Sequence, residues 1–101
     1  MEYFKYTQIR NWAKEKGIYK KGDPKSQTLK LQEEVGELAN AILAKNDVEI
    51  KDAIGDCVVV LTNLAHLCDM KIEDCITHAY NEIKNRDGVM YNGTFVKKRE
   101  Q

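Results

Sequence analysis

"VEIKDAIGDCVVVLTNLAHLC", residues 48–68, decides the fold. Its middle, Val58-Val59-Val60, is β-branched and by propensity suggests a strand. Around it, Ile50, Ala53, Ile54, Cys57, Leu61, Leu64, Ala65 and Leu67 recur at the three- and four-residue steps that a helix brings to one side. The periodic pattern on both flanks outvotes the three valines. The segment is therefore expected as a helix from about Val48 to Cys68, with Asp47 as its N-cap. From Cys57 to Leu61 it is apolar all round, which predicts a central, buried helix.

Working outward, the preceding helix should start at Ser26, a good N-cap, and run to about Ala44, where "KND" breaks it. Leu31, Val35, Leu38, Ala39 and Ile42 form its apolar stripe. Before it, "GIYKKGDPKS" reads as a loop, and a first helix spans residues 4–16 with Tyr6, Ile9, Trp12 and Ala13 at helical spacing until Gly17. After it, a fourth helix covers Ile72 to Asn85, with Ile76, Ala79, Tyr80 and Ile83 inward. The tail "VMYNGTFV" alternates around Asn92-Gly93, a two-residue hairpin signal. The fold class is all-α: a single domain over residues 1–101, of four-helix bundle type, with a short C-terminal β-hairpin or extended arm.

Sixteen basic and sixteen acidic residues cancel, so charge offers no argument for a nucleic acid polymer or an anionic membrane as partner. The longest apolar run is the five residues "CVVVL", too short for a membrane span or a signal peptide core. Cys57, Cys68 and Cys75 form no Cys-x-x-Cys pair and read as small buried hydrophobes in a reducing compartment. The expected location is cytoplasmic.

Chemistry concentrates in "QEEVGELANAI", residues 32–42, where Glu33, Glu34 and Glu37 fall within five positions. Glu34 and Glu37 project about 60° apart on a helix and can converge on one ion. On the next helix, Glu49, Asp52 and Asp56 share a sector of about 60°. Asp56 lies directly before the most apolar segment, where an ionised carboxylate is costly without a cation beside it. That cation is either a Lys or Arg partner or a divalent metal. An all-oxygen ligand set suits Mg²⁺ or Mn²⁺. Neither His66 nor His78 has a Glu three residues before it, so the di-iron carboxylate pattern is absent.

With these residues in view, "KLQEEVGELANAI" followed by "DAIGDCVVVLTNLA" resembles the MazG-like, all-α nucleoside triphosphate pyrophosphohydrolases. The resemblance runs over residues 27–96 and includes the tail "AYNEIKNRDGVMYNGTFVKK". It implies Mg²⁺ held by acidic side chains, and attack of an activated water on the α-phosphate of a nucleoside triphosphate, giving a monophosphate and pyrophosphate. By position, it implies ligand roles for Glu34, Glu37 and Asp56, and a supporting or general-base role for Glu33, so that Glu33 and Glu34 are the catalytic candidates. It also implies a homodimer or homotetramer. One position departs from the pattern: Ala53 stands where the family has a glutamate, three residues before Asp56. Asp52 lies about 40° from Asp56 around the helix and is expected to take over that ligand role; the alternative is a binding or structural oligomer without turnover.

Asn81, Lys84 and Arg86 are phosphate-binding candidates, with attraction of the two cations to the helix C-terminus as the alternative. Lys30, one turn before Glu34, serves either phosphate or an ion pair with Glu33 or Glu34. Trp12 is either a stacking wall for a base or a core residue. Gly36 and Gly55 in helix interiors predict a close helix crossing beside the site.

Overall fold

A computed structural model describes residues 2–98. Five helices come first: α1 (Glu2–Glu15), α2 (Ile18–Lys21), α3 (Pro24–Ala44), α4 (Asp47–Leu67) and α5 (Ile72–Ile83). Strands β1 (Gly88–Tyr91) and β2 (Thr94–Lys97) then pair antiparallel, with Val89 opposite Val96 and Met90 opposite Phe95. Asn92 and Gly93 turn the hairpin at φ 47° and 79°, the left-handed pair that a two-residue loop requires.

The helix over 48–68 forms as its periodicity predicts, and no strand interrupts it. Its cap is one residue earlier than expected: the Asn46 side chain, not Asp47, accepts the Glu49 N–H. Likewise α3 begins before Ser26. Asp23 is the cap, accepting from the Ser26 N–H at 2.8 Å, and Pro24 takes the first helical position, where its missing N–H costs nothing. The loop read in "GIYKKGDPKS" contains the single-turn α2, entered through Gly17 at φ 80°.

Among the described residues α4 is the hub, packing against all four other helices, whereas α3 packs against α4 alone. The chain therefore does not close into a four-helix bundle by itself. Among the described residues, its buried apolar side chains are small: Ala13, Ala41, Ala53, Val60 and Ala65. Much of the stripe expected to face inward on α3 is open, with Val35 and Ile42 about half exposed. Leu61, at the end of the all-apolar segment, is also exposed. On α5 the expected inward face, Ile76, Ala79, Tyr80 and Ile83, is exposed; the helix packs instead through Ile72, Glu73 and Cys75. Cys68 is exposed rather than buried. A Cβ at Gly36 or Gly55 would meet nothing within 4 Å, so no close crossing inside the chain explains either glycine.

These openings add up. The accessible surface is 8380 Å², against about 5,800 Å² for a folded monomer of this mass. The radius of gyration is 16.1 Å, against about 13 Å for a compact chain of 100 residues.

Two polar ties join helices across the fold, one of them to the hub. Arg10 grips Glu73 with two hydrogen bonds of 2.6 and 2.7 Å, joining α1 to α5. The Tyr19 hydroxyl donates to Oδ1 of the buried Asn63 at 2.7 Å, while its ring stacks on His66.

Candidate metal and nucleotide site

α3 and α4 run side by side, and their facing acidic residues define the site. On α3, Glu33, Glu34 and Glu37 each place a carboxylate oxygen within 4.8 Å of the other two. Glu34 is buried with 6% of its surface exposed, which is unusual for a glutamate. Its position explains why: it occupies the side of α3 that meets α4, while Val35 beside it faces outward. Lys30 reaches Glu34 Oε1 at 3.3 Å and Glu33 Oε1 at 3.5 Å. The other oxygen, Glu34 Oε2, is buried without a hydrogen-bond partner among the described residues.

One lysine thus pairs with two of the three clustered carboxylates. The imbalance shows in Glu37, whose carboxyl is pushed above the usual glutamate range, chiefly by the negative charge of Glu34. The thiol of Cys57 is also raised, first by burial and then by the charges of Glu34 and Asp56.

Glu37 connects this cluster to a second acidic group. Together with Asn40, Glu49, Asp52, Ala53 and Asp56 it lines a cleft of about 390 Å³ between α3 and α4. Asp52 and Asp56 therefore face the same space, one helical turn apart, with buried Ala53 between them; both are exposed, so the desolvation cost expected for Asp56 does not arise, because it lies on the open side of α4. Glu33 and Glu34 do not line the cleft, and Glu37 alone belongs to both groups; the donors of both are hard oxygens, carboxylates with one amide, and the partnerless buried oxygen lies in the Glu33–Glu34–Glu37 group. This set fits a hard divalent cation.

The remaining candidates lie apart from the cleft. Trp12, 47% exposed, lines a separate apolar hollow of about 320 Å³ with Lys5, Gln8, Ile9 and Val59. Trp12 is therefore a surface residue and not a core one. Lys30 forms the ion pairs with Glu33 and Glu34 in the free chain. Lys84 donates to Asn81 Oδ1 at 3.2 Å, and both sit exposed near the end of α5 with Arg86 beyond them. None of these three lines the acidic cleft. Sequence reasoning passed over Asn40 as a site residue, although it lies one turn after Glu37 on the same face of α3. Glu49 was grouped with Asp52 and Asp56 but assigned no role.

Among the described residues, no single helix is long and apolar enough to cross a membrane. No solved structure matches the chain. A protein of Haemophilus phage HP1 (strain HP1c1), named as an uncharacterized 18.2 kDa protein in the rep-hol intergenic region, is 40% identical over 57 residues. That match covers 56% of this chain and 35% of the phage protein, so the chain spans about a third of that relative's length. The family model described as MazG nucleotide pyrophosphohydrolase domain matches residues 23–90, which include α3, the acidic cleft, α4 and α5. With two-thirds of its residues inside that match and the paired acidic helices at its centre, the chain belongs to the MazG family.

Proposed function

We propose that this protein is a Mg²⁺-dependent nucleoside triphosphate pyrophosphohydrolase, releasing a nucleoside monophosphate and pyrophosphate, and that it acts in the cytoplasm as a homodimer or homotetramer. The observation that carries the reading is the buried, unpartnered Glu34 Oε2 in a group of three carboxylates, two of which share one lysine. A buried charged oxygen left without a partner carries its desolvation penalty with nothing to offset it. A divalent cation among Glu34, Glu37, Asp52 and Asp56 removes that cost.

A bound divalent cation supplies a water of lowered pKa and offsets charge on the phosphates. The chain's own residues do the rest. Glu33 Oε1, largely exposed and only loosely tied to Lys30, is positioned to take a proton from an attacking water. Lys30 holds Glu34 in place until the ligand arrives. Asp52 stands in the cleft where it can supply the oxygen that Ala53 lacks. Trp12 offers an exposed aromatic wall with Gln8 beside it. The chain's surface, well above that of a monomer of its mass, supports assembly into an oligomer.

A second reading has its own observation. Ala53, buried in the cleft lining, leaves the family's glutamate position without an oxygen, which favours nucleotide binding without turnover. One assay separates the two: purified protein, a panel of ribo- and deoxyribonucleoside triphosphates, and pyrophosphate measured with and without Mg²⁺. Pyrophosphate release that requires Mg²⁺ and disappears in Asp56→Asn supports the hydrolase. Mg²⁺-dependent nucleotide binding without product sinks it in favour of the second reading.

A further inference from the structure

The C-terminal hairpin is unsupported by the rest of its own chain. No helix comes within 8 Å of either strand, Cα to Cα, among the described residues. It is nonetheless apolar on both faces: Val89 and Val96 pair across one side, Met90 and Phe95 across the other, and all four are about half exposed or more. A two-stranded hairpin is marginal in water without a surface to pack on. This one is also built with care, since the Phe95 ring lies across Gly88 where any side chain would collide with it. The family match ends at residue 90, inside β1, so most of the hairpin lies beyond the matched domain.

Charge along the chain is segregated although the total is zero. Between Asn81 and Lys98 there are four cations and two carboxylates; between Glu33 and Asp56 there are seven carboxylates and two lysines. Lys97 pairs in register with Gly88 at the open end of the hairpin, and Lys98 reaches Asp87 only at 3.9 Å. Val35, Ile42 and Leu43 on α3 and Ile54 and Leu61 on α4 are left open, apolar like the hairpin, on the same two helices whose other residues line the acidic cleft. The excess surface of the chain, roughly 2,500 Å², is the amount that a permanent two-chain interface removes from water per partner at the upper end of the observed range.

We propose that the hairpin is an arm that docks on the α3–α4 face of a second copy of this chain, carrying Lys97 and Lys98 to the mouth of that copy's acidic cleft. The docking rests on surface and charge alone. That the two lysines then meet the phosphates of a nucleotide rests on the hydrolase reading above.

The test is a cross-link read without turnover. The three native cysteines are replaced by alanine; Lys97→Cys is placed in one tagged preparation and Glu49→Cys in an untagged one, and the two are mixed and oxidised. The expected result is a two-chain product that contains one of each, at least about tenfold above a Lys5→Cys control, because a disulfide needs Cα atoms within about 7 Å. An equal yield from the control overturns the proposal. So does a single-chain disulfide in the Lys97→Cys/Glu49→Cys double variant, which places the arm on its own body. A companion measurement covers the apolar faces: Val89→Asp/Val96→Asp should keep the helical circular dichroism spectrum and weaken self-association at least about tenfold in sedimentation. Unchanged self-association overturns the docking, as does a monomeric wild type whose hairpin instead binds single-stranded oligonucleotide. A cross-link obtained with a protein that releases no pyrophosphate would keep the arm and remove the hydrolase, so the two ideas fail separately.

Discussion

Two carboxylates of this molecule sit in partly dry surroundings and are treated in opposite ways. Glu73 on α5 meets Arg10 on α1 through two short parallel hydrogen bonds, one cation for one anion. Its carboxyl is held below the usual glutamate range, first by the hydrogen bonds from Arg10. Glu34 on α3 is more buried, shares one lysine with Glu33, and pushes its neighbour Glu37 in the other direction. A closed pair of the first kind ties helices together and has no capacity left for a ligand. An excess of negative charge of the second kind destabilises the free chain and is relieved by whatever cation enters. The contrast separates a closed ion pair from a cluster whose charge is left unbalanced, without reference to any relative.

Substitutions should break that contrast in a definite order. The largest effect is expected for Glu34→Gln, with Mg²⁺-dependent pyrophosphate release falling about 100-fold or more, since even partners one step removed from a metal ligand cost about 10–100-fold. Its urea midpoint without Mg²⁺ should stay level or rise, because a repulsive charge has gone. A large fall in stability with activity intact would make Glu34 another Glu73. Arg10→Ala should do the reverse, costing about 2 kcal/mol by leaving Glu73 part-buried and unpaired, seen as a lower urea midpoint. Nucleotide and Mg²⁺ affinity of the folded fraction should be unchanged.

Gly36→Ala and Gly55→Ala test the open face of the same helices. In an isolated chain each should add up to about 1 kcal/mol, the helix propensity gained over glycine, because an added methyl meets nothing. If a second copy crosses there, the same changes will weaken self-association in sedimentation while helix content holds.

The smallest effect is in pH. Glu73 has a folded pKa below its unfolded value, so its stabilisation is complete above the ordinary glutamate range and is lost as pH falls through the depressed folded value. Glu37 has a folded pKa above its unfolded value, so the folded chain binds the extra proton and stability declines as pH rises through that window. The rise in melting temperature produced by Mg²⁺ should therefore be greatest at neutral pH and shrink as acid protonates Glu37. Thermal unfolding in wild type and Arg10→Ala across pH 4 to 7.5, with and without Mg²⁺, reads both slopes. An Mg²⁺ shift that is flat across that range would remove Glu37 from the site.

Much of this was legible along the chain. Spacing of Ile50 through Leu67 identified the central helix despite its three valines, because burial periodicity over twenty residues outweighs local β propensity over three. Asn92-Gly93 identified the hairpin because few other residues adopt two successive left-handed conformations. Helical arithmetic grouped Glu34 with Glu37, and Asp52 with Asp56. It did not select Asn40 for the cleft, since a side chain enters a cleft by where a second helix lies, not by its own periodicity.

What the sequence by itself determined is therefore local and periodic: which segments are helices, where the chain turns, and which acids share a helix face. These depend on interactions a few residues apart. Only the tertiary structure decided which apolar stripes are covered, that Glu34 turns inward while Val35 turns out, and that the hairpin stands away from the body. Those outcomes depend on how α3 and α4 meet each other and on what surface remains when one chain has packed all it can. No spacing rule within a single helix contains that information.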